Sequence, residues 1–197
     1  MSDITTRVSV VGEAIYPHLN KPDVRFNEHG EFKVTLKVKQ QDASAMVKLF
    51  DQACEDSLAS AEKEAKGKKI KSAPKPYKLD GDNVFFKFKM RASGKNKKTN
   101  EMFSQRPALF DAKKNPIPSS TSIWGGSLMK VAYQLIPYAT PMLGAGISAR
   151  LKAVQILKLV EGQSQNIFKE EDGFETKTET PKSNGTSTVQ ESSDFWR

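Results

Sequence analysis

Val84-Phe85-Phe86-Lys87-Phe88-Lys89-Met90-Arg91 alternates strictly: Phe86, Phe88 and Met90 fall on one face of an extended chain, and Phe85, Lys87, Lys89 and Arg91 on the other. A two-residue period marks a strand half buried in a sheet, with side chains of one parity sharing a face. The outward face joins cations to an aromatic ring. A phosphate backbone wants the first and an unstacked base the second, the combination used by proteins that hold single strands without sequence preference. The plainer reading is a solvated strand whose lysines block edge pairing. Phe85 and Phe86 exchange roles if the register slips by one residue.

Glu31 through Lys39 repeats the pattern, with Phe32, Val34, Leu36 and Val38 alternating against Lys33, Thr35, Lys37 and Lys39. Arg7 through Ile15 reads as an earlier strand with a bulge at Gly12. The two prolines and Asn20 in Tyr16 through Pro22 read as an irregular loop. Asp42 is the expected N-cap of a helix from Ala43 to about Lys66, whose stripe of Met46, Val47, Phe50, Cys54, Leu58, Ala61 and Ala65 recurs at spacings of three and four. Cys54 on that stripe reads as a packed thiol, not a nucleophile. After Gly67 comes a lysine-rich, proline-stiffened loop, Lys68 to Lys78, which either grips a phosphate backbone or keeps the chain soluble. Gly94 to Lys98 reads as a cationic turn, Pro107 to Asp111 as a short strand, and Met129 to Pro137 and Ile147 to Val160 as the last two strands. Short strands with a single helix point to a small barrel, because one helix cannot supply the crossovers of a doubly wound sheet.

The chain has 197 residues, with 31 Lys and Arg against 23 Asp and Glu, a net charge of +8. That balance suits a polyanionic partner. Residues 162–197 hold seven acidic and four basic residues, a net −3, leaving +11 for the body. The tail has almost no apolar residue before Phe195-Trp196, too few to bury a core, so an ordered domain over 1–161 and a disordered acidic tail over 162–197 are expected. No stretch approaches the length of a membrane span and no signal peptide is evident, so a cytoplasmic protein is expected. One cysteine excludes an intrachain disulfide, and His18 and His29 have no ligand spacing.

Asp80, Asp82 and Asp111 are the only acids that suggest a nuclease-like metal site, and Asp80-Gly81-Asp82 is first of all a turn. Gly125-Gly126 and Gly144-Ala145-Gly146 match no phosphate loop. No nucleophile has a paired base. Binding, without enzyme activity and without a cofactor or metal, is the expected function.

Lys75-Pro76-Tyr77, Phe86-Lys87-Phe88-Lys89 followed by Ala92-Ser93 and Lys97-Lys98-Thr99, Gly125-Gly126-Ser127-Leu128-Met129-Lys130-Val131, Leu135-Ile136-Pro137-Tyr138 and the run from Gly144 to Val160 stand in an order and spacing that resemble the single-stranded-DNA-binding proteins of short-tailed bacteriophages. The resemblance runs from the first strand through Glu161. It implies a mainly β, five-stranded oligonucleotide-binding (OB) barrel with one helix after the second strand. It also implies a protein that coats and protects single-stranded DNA in phage DNA replication, recombination and repair, and that promotes annealing. The acidic C-terminal tail would dock the phage DNA polymerase and helicase-primase, and a homodimer in the cytoplasm of the bacterial host is expected.

In that family Lys89 and Tyr138 lie in the DNA groove. A further groove arginine falls here on His29, an imidazole that is mostly uncharged at neutral pH when unperturbed. The expected phosphate contacts are Lys33, Lys37, Lys87, Lys89, Arg91, Lys130, Arg150 and Lys152, and the expected stacking rings are Phe85, Tyr138 and Trp124. Trp124 stands where an aliphatic residue is usual, either as a platform or as a core indole. The tail ends Asp194-Phe195-Trp196-Arg197, with Asp194, Phe195 and Trp196 as its anchors, although the family tail is more acidic and ends on phenylalanine. An RNA-binding OB protein is the alternative, because every base has a π face.

Overall fold

The computed structural model describes residues 5–25, 27–96, 99–118 and 120–161; the expected tail, with Asp194, Phe195 and Trp196, lies outside them, as do Lys97 and Lys98. Ten strands and one helix follow in the order β1 (Thr6–Val8), β2 (Gly12–Asp23), β3 (Glu31–Lys39), α1 (Gln40–Glu64), β4 (Tyr77–Asp80), β5 (Asn83–Arg91), β6 (Ser93–Lys95), β7 (Met102–Ser104), β8 (Ala108–Phe110), β9 (Leu128–Thr140) and β10 (Gly144–Lys158). Five of them close a ring. β2 pairs with β3, β3 with β5, β5 with β10, β10 with β9, and β9 with β2; only the β5–β10 contact is parallel. This is the mainly β OB arrangement that the family resemblance implied, with the helix after the second ring strand.

The alternation in β3 and β5 becomes the wall of the ring. Val34, Leu36, Phe86 and Phe88 are at most 1% exposed, and their neighbours of opposite parity face outward. The helix closes one side of this core by burying Met46 and Phe50. The Phe50 ring meets Phe86 edge-on at 5.2 Å and Tyr133 at 5.6 Å between centroids. The helix begins earlier than Asp42. Lys39 is the cap, in extended conformation and without a side-chain cap bond, and the Gln40 N–H instead donates to the carbonyl of Asp82. Asp42 sits inside the first turn, where a carboxylate favours the helix dipole.

Tyr16 through Pro22 is not a loop but the middle of β2. The ladder to β3 advances from Ile15↔Thr35 to His18↔Lys33 and then to Asp23↔Glu31, leaving extra residues on β2 at each step. Pro17 and Pro22 fall in those gaps, where no ladder N–H is required, so prolines that would break a regular strand are accommodated in a bulged one. The expected first strand is in turn split. Val8 pairs with Ala132 and Gly12 with Met129, so one extra residue bulges between β1 and β2. Gly12 is required by close approach, since a Cβ there would lie 2.6 Å from Leu36 Cγ.

Two motifs quoted for the family resemblance prove to be fastenings. Lys75 Nζ and Tyr77 Oη both donate to Asp51 Oδ1 at 2.6 Å, tying the segment before β4 to the helix. Ser127, fully buried, donates through Oγ to the Trp124 carbonyl at 2.8 Å and accepts the Val160 N–H at 2.9 Å, pinning the end of β10 to the turn before β9. Lys75 is thus committed to Asp51. That contact and the Tyr77 hydroxyl raise its pKa, and the same partners overcome partial burial to hold the Asp51 carboxyl below its usual range.

Candidate nucleic-acid interface

On the outer face of the ring the register sets Lys33 opposite Lys89, Thr35 opposite Lys87, Lys37 opposite Phe85 and Glu31 opposite Arg91, and the parallel contact places Arg150 beside Lys89. A groove of about 730 Å³ opens at one end of this face, lined by Lys89, Arg91 and Arg150 with Asn27, Glu31, Phe103, Gln105, Ile136 and Ser148. Three expected cations therefore meet there. Asn27 comes from the turn between β2 and β3, and Phe103 from the β6–β7 hairpin.

Gly94 and Lys95 of the expected cationic turn belong to strand β6 of that hairpin, and Lys97 and Lys98 lie outside the described residues. Gly94 pairs with Phe103 across it, and a Cβ on Gly94 would lie 3.1 Å from the Phe103 ring, so the missing side chain lets the ring lie across the hairpin. Phe103 remains 37% exposed at the rim of the groove. Sequence reasoning missed Phe103, Gln105 and Asn27. The Met102-Phe103 pair in an otherwise polar stretch was the available signal for the hairpin.

The acids around this face could not be placed without the register. Glu31 Oε2 lies 3.7 Å from Lys89 Nζ inside the groove. Glu13 pairs with Lys37 at 3.3 Å. Asp23, whose side chain is only 3% exposed, accepts Lys33 Nζ at 2.6 Å and two side-chain N–H groups of Arg25 at 3.0 Å, with His18 at 3.9 Å. Bonding to Arg25 first, and then to Lys33, holds the Asp23 carboxyl far below the ordinary carboxylate range. Lys33 and Lys37 thus already have carboxylate partners. Lys87, Arg91, Arg150 and Lys152 make no ion pair among the described residues, and all four are exposed.

The other expected residues lie around this groove at various distances. Phe85 is half-buried on the outer face, six residues along β5 from Arg91 and beside Lys37 and Lys78. Tyr138 is half-buried on β9, paired across from Gly146, one outward position beyond Ile136 and Ser148. Lys152 sits at a register shift in β10. Lys130 lies elsewhere, in a small groove of about 360 Å³ with Val8, Phe110 and Lys114. Trp124 is not a core indole: it is 56% exposed in a separate groove beside β2. His29 is in the turn before β3, where its carbonyl accepts the Ser93 hydroxyl at 2.8 Å.

Two of the three acids considered for a metal site, Asp111 and Asp80, have other partners. Asp111 accepts the backbone N–H groups of Lys113 and Asn115 and the Asn115 amide, which hold its pKa down, and Asp80 lies 3.9 Å from Lys78. No cluster of three His, Cys, Asp or Glu residues suited to a metal occurs among the described residues, and no helix among them is long and apolar enough to cross a membrane. Cys54 is half-buried against the core, and burial pushes its thiol pKa up, as befits a packing residue.

An outward basic face on a five-stranded OB ring defines the class of oligonucleotide-binding folds. Residues 11–159 match the family model of the bacteriophage T7 single-stranded DNA-binding protein, and the chain belongs to that family. It is 31% identical over 193 residues to the single-stranded DNA-binding protein of Enterobacteria phage T3, covering 85% of this chain and 83% of the relative. It is likewise 31% identical over 165 residues to that of Escherichia phage T7, covering 73% and 71%. The crystal structure of gp2.5, a single-stranded DNA-binding protein encoded by bacteriophage T7, superposes with a TM-score of 0.74 at 27% identity, covering 88% of this chain and all of the other. The fold also matches the single-stranded DNA-binding protein of bacteriophage Enc34 in its complex with single-stranded DNA, with a TM-score of 0.58 at 18% identity, covering 79% and 88%. These relatives are binding proteins, in keeping with the expectation of binding without catalysis.

Proposed function

We propose that this protein binds single-stranded DNA along the outer face of β3, β5 and β10, with the Lys89–Arg91–Arg150 groove as the centre of the site. The observation that carries the reading is the meeting of those three cations with the exposed Phe103 ring in one groove, in a chain of this family. In OB folds the second and third barrel strands and the loop between the first and second face the oligonucleotide, and here these are β3, β5 and the turn that supplies Asn27. The cations neutralise phosphates while Phe103 stacks on a base, and Tyr138 extends the aromatic surface. Neither group reads a sequence, so the protein suits the coating and protection of any exposed single strand.

On this reading the protein acts in phage DNA replication, recombination and repair and promotes annealing of complementary strands as a homodimer. Its C-terminal segment docks the phage DNA polymerase and helicase-primase through Asp194, Phe195 and Trp196, the apolar anchors among them being the natural contact points of a polar segment. The test is a fluorescence anisotropy titration with matched oligomers of dT and rU at several salt concentrations. The proposal expects dT to bind with an affinity that falls as salt rises; a clear preference for rU would instead favour the RNA-binding alternative.

A further inference from the structure

The outer face continues beyond the groove. Successive cross-strand pairs, Arg150↔Lys89, Lys89↔Lys33 and Lys33↔His18, form one lateral row across β10, β5, β3 and β2. With strands about 4.8 Å apart, this row is roughly 14 Å long. Beyond its β2 end lies a second groove of about 790 Å³, lined by Glu13, Ile15, Tyr16, Pro17, His18 and Trp124 among others.

Two large rings stand out of that groove: Tyr16 is 82% exposed and Trp124 56%. Each is held there by its backbone. Tyr16 has φ of +48°, a left-handed conformation that is an outlier for a bulky residue, and it occupies the extra position between the pairs Ile15↔Thr35 and His18↔Lys33. A bulge of this kind re-aims a side chain, and such strain persists only where the surrounding structure over-determines it. The Trp124 backbone is fixed by its N–H donating to Val160 and its carbonyl accepting the Ser127 hydroxyl, so the exposed indole rides on a rigid turn.

We propose that Tyr16 and Trp124 form a second base-stacking platform for single-stranded DNA, at the far end of the row from the Lys89–Arg91–Arg150 groove. The proposal rests on that groove binding single strands and extends the footprint of the same ligand. The chemistry favours a base over a phosphate: the lining is mainly aromatic and apolar and holds neither lysine nor arginine, and its one carboxylate, Glu13, is paired with Lys37. The continuity of the row supplies the path between the two grooves.

The test uses the full-length chain carrying Trp196→Phe, which leaves Trp124 as the only indole, since the protein has two tryptophans. Binding is followed by anisotropy of labelled dT oligomers of about 4 and about 16 nucleotides, the limits of OB site sizes. Trp124 emission is recorded in parallel. Saturation with the long oligomer is expected to quench Trp124. In the wild-type background Trp124→Ala and Tyr16→Ala are expected to weaken the long oligomer by about 5- to 150-fold, the range of one base–aromatic stack, with the salt slope unchanged and Trp124→Phe restoring much of the loss. Binding of the short oligomer should stay the same. The proposal is overturned if Trp124 emission is unmoved at saturation, or if both alanine variants bind the long oligomer like wild type. No binding of either oligomer by anisotropy would overturn the groove reading as well, which separates the two failures.

Discussion

Glu31→Gln should tighten binding to single-stranded DNA, because the Glu31 carboxylate competes with a phosphate for Lys89. Its carboxylate lies 3.7 Å from Lys89 Nζ, is directly opposite Arg91 in the ladder and lines the groove with Arg150. A phosphate replacing it at Lys89 would sit roughly 6 Å away, where two unit charges repel by about 0.7 kcal/mol in water and nearly 3 kcal/mol at the effective dielectric of a protein surface. Screening at physiological salt, with a Debye length near 8 Å, roughly halves this, so about 1 kcal/mol, or about fivefold in affinity, is expected. Gln keeps the size and removes the charge. The assay is anisotropy with labelled dT from about 50 to 300 mM salt, and the gain should shrink as salt rises. An affinity equal to or weaker than wild type at low salt, with melting unchanged, would show that no phosphate approaches Lys89.

Lys89→Ala and Arg150→Ala should each flatten the slope of log K against log salt by roughly 0.7, while Phe103→Ala should cost about 1–3 kcal/mol and leave the slope alone; the same salt titrations separate the two effects. Phe50→Ala removes a ring that is fully buried against Phe86 and Tyr133, and should lower stability by about 3–5 kcal/mol in urea unfolding. An unfolding midpoint like that of wild type would mean that the helix does not close the core. Asp23 has its pKa depressed by Arg25 and Lys33, so its contribution to stability is complete above the ordinary carboxylate pKa near 4 and is lost as pH falls through the folded value. Asp23→Asn should therefore melt lower than wild type at pH 7, and the difference should narrow below about pH 4, as followed by circular dichroism.

What could be read in advance, and what could not, divides along a physical line. Alternation in β3 and β5 and the stripe containing Phe50 are local signals, because burial on one face imposes a period on the residues that make it. The bulged stretch of β2 looked like a loop because Pro17 and Pro22 are strand breakers by propensity, and only the ladder shows that they occupy positions with no bond to make. The β6–β7 hairpin and Phe103 were hidden by the short span of each strand. Most of the site's electrostatics was invisible for another reason. Glu31, Glu13 and Asp23 meet their lysines across strands, so which cations are already paired depends on register, which composition does not contain. Lys75-Pro76-Tyr77 and Gly125-Gly126-Ser127 were legible as motifs, but their fastening role appeared only once Asp51 and Val160 were placed beside them.

The central claim is that single-stranded DNA lies in the groove where Lys89, Arg91 and Arg150 converge. It is tested most directly by the salt dependence of dT binding in wild type and in the triple variant Lys89→Ala/Arg91→Ala/Arg150→Ala. Three lost phosphate contacts should reduce the slope of log K against log salt by roughly 2, with affinity at low salt falling in step, while circular dichroism shows the fold intact. A triple variant that folds and binds dT with the wild-type affinity and slope would contradict the account, because the strand would then have to lie elsewhere on the protein.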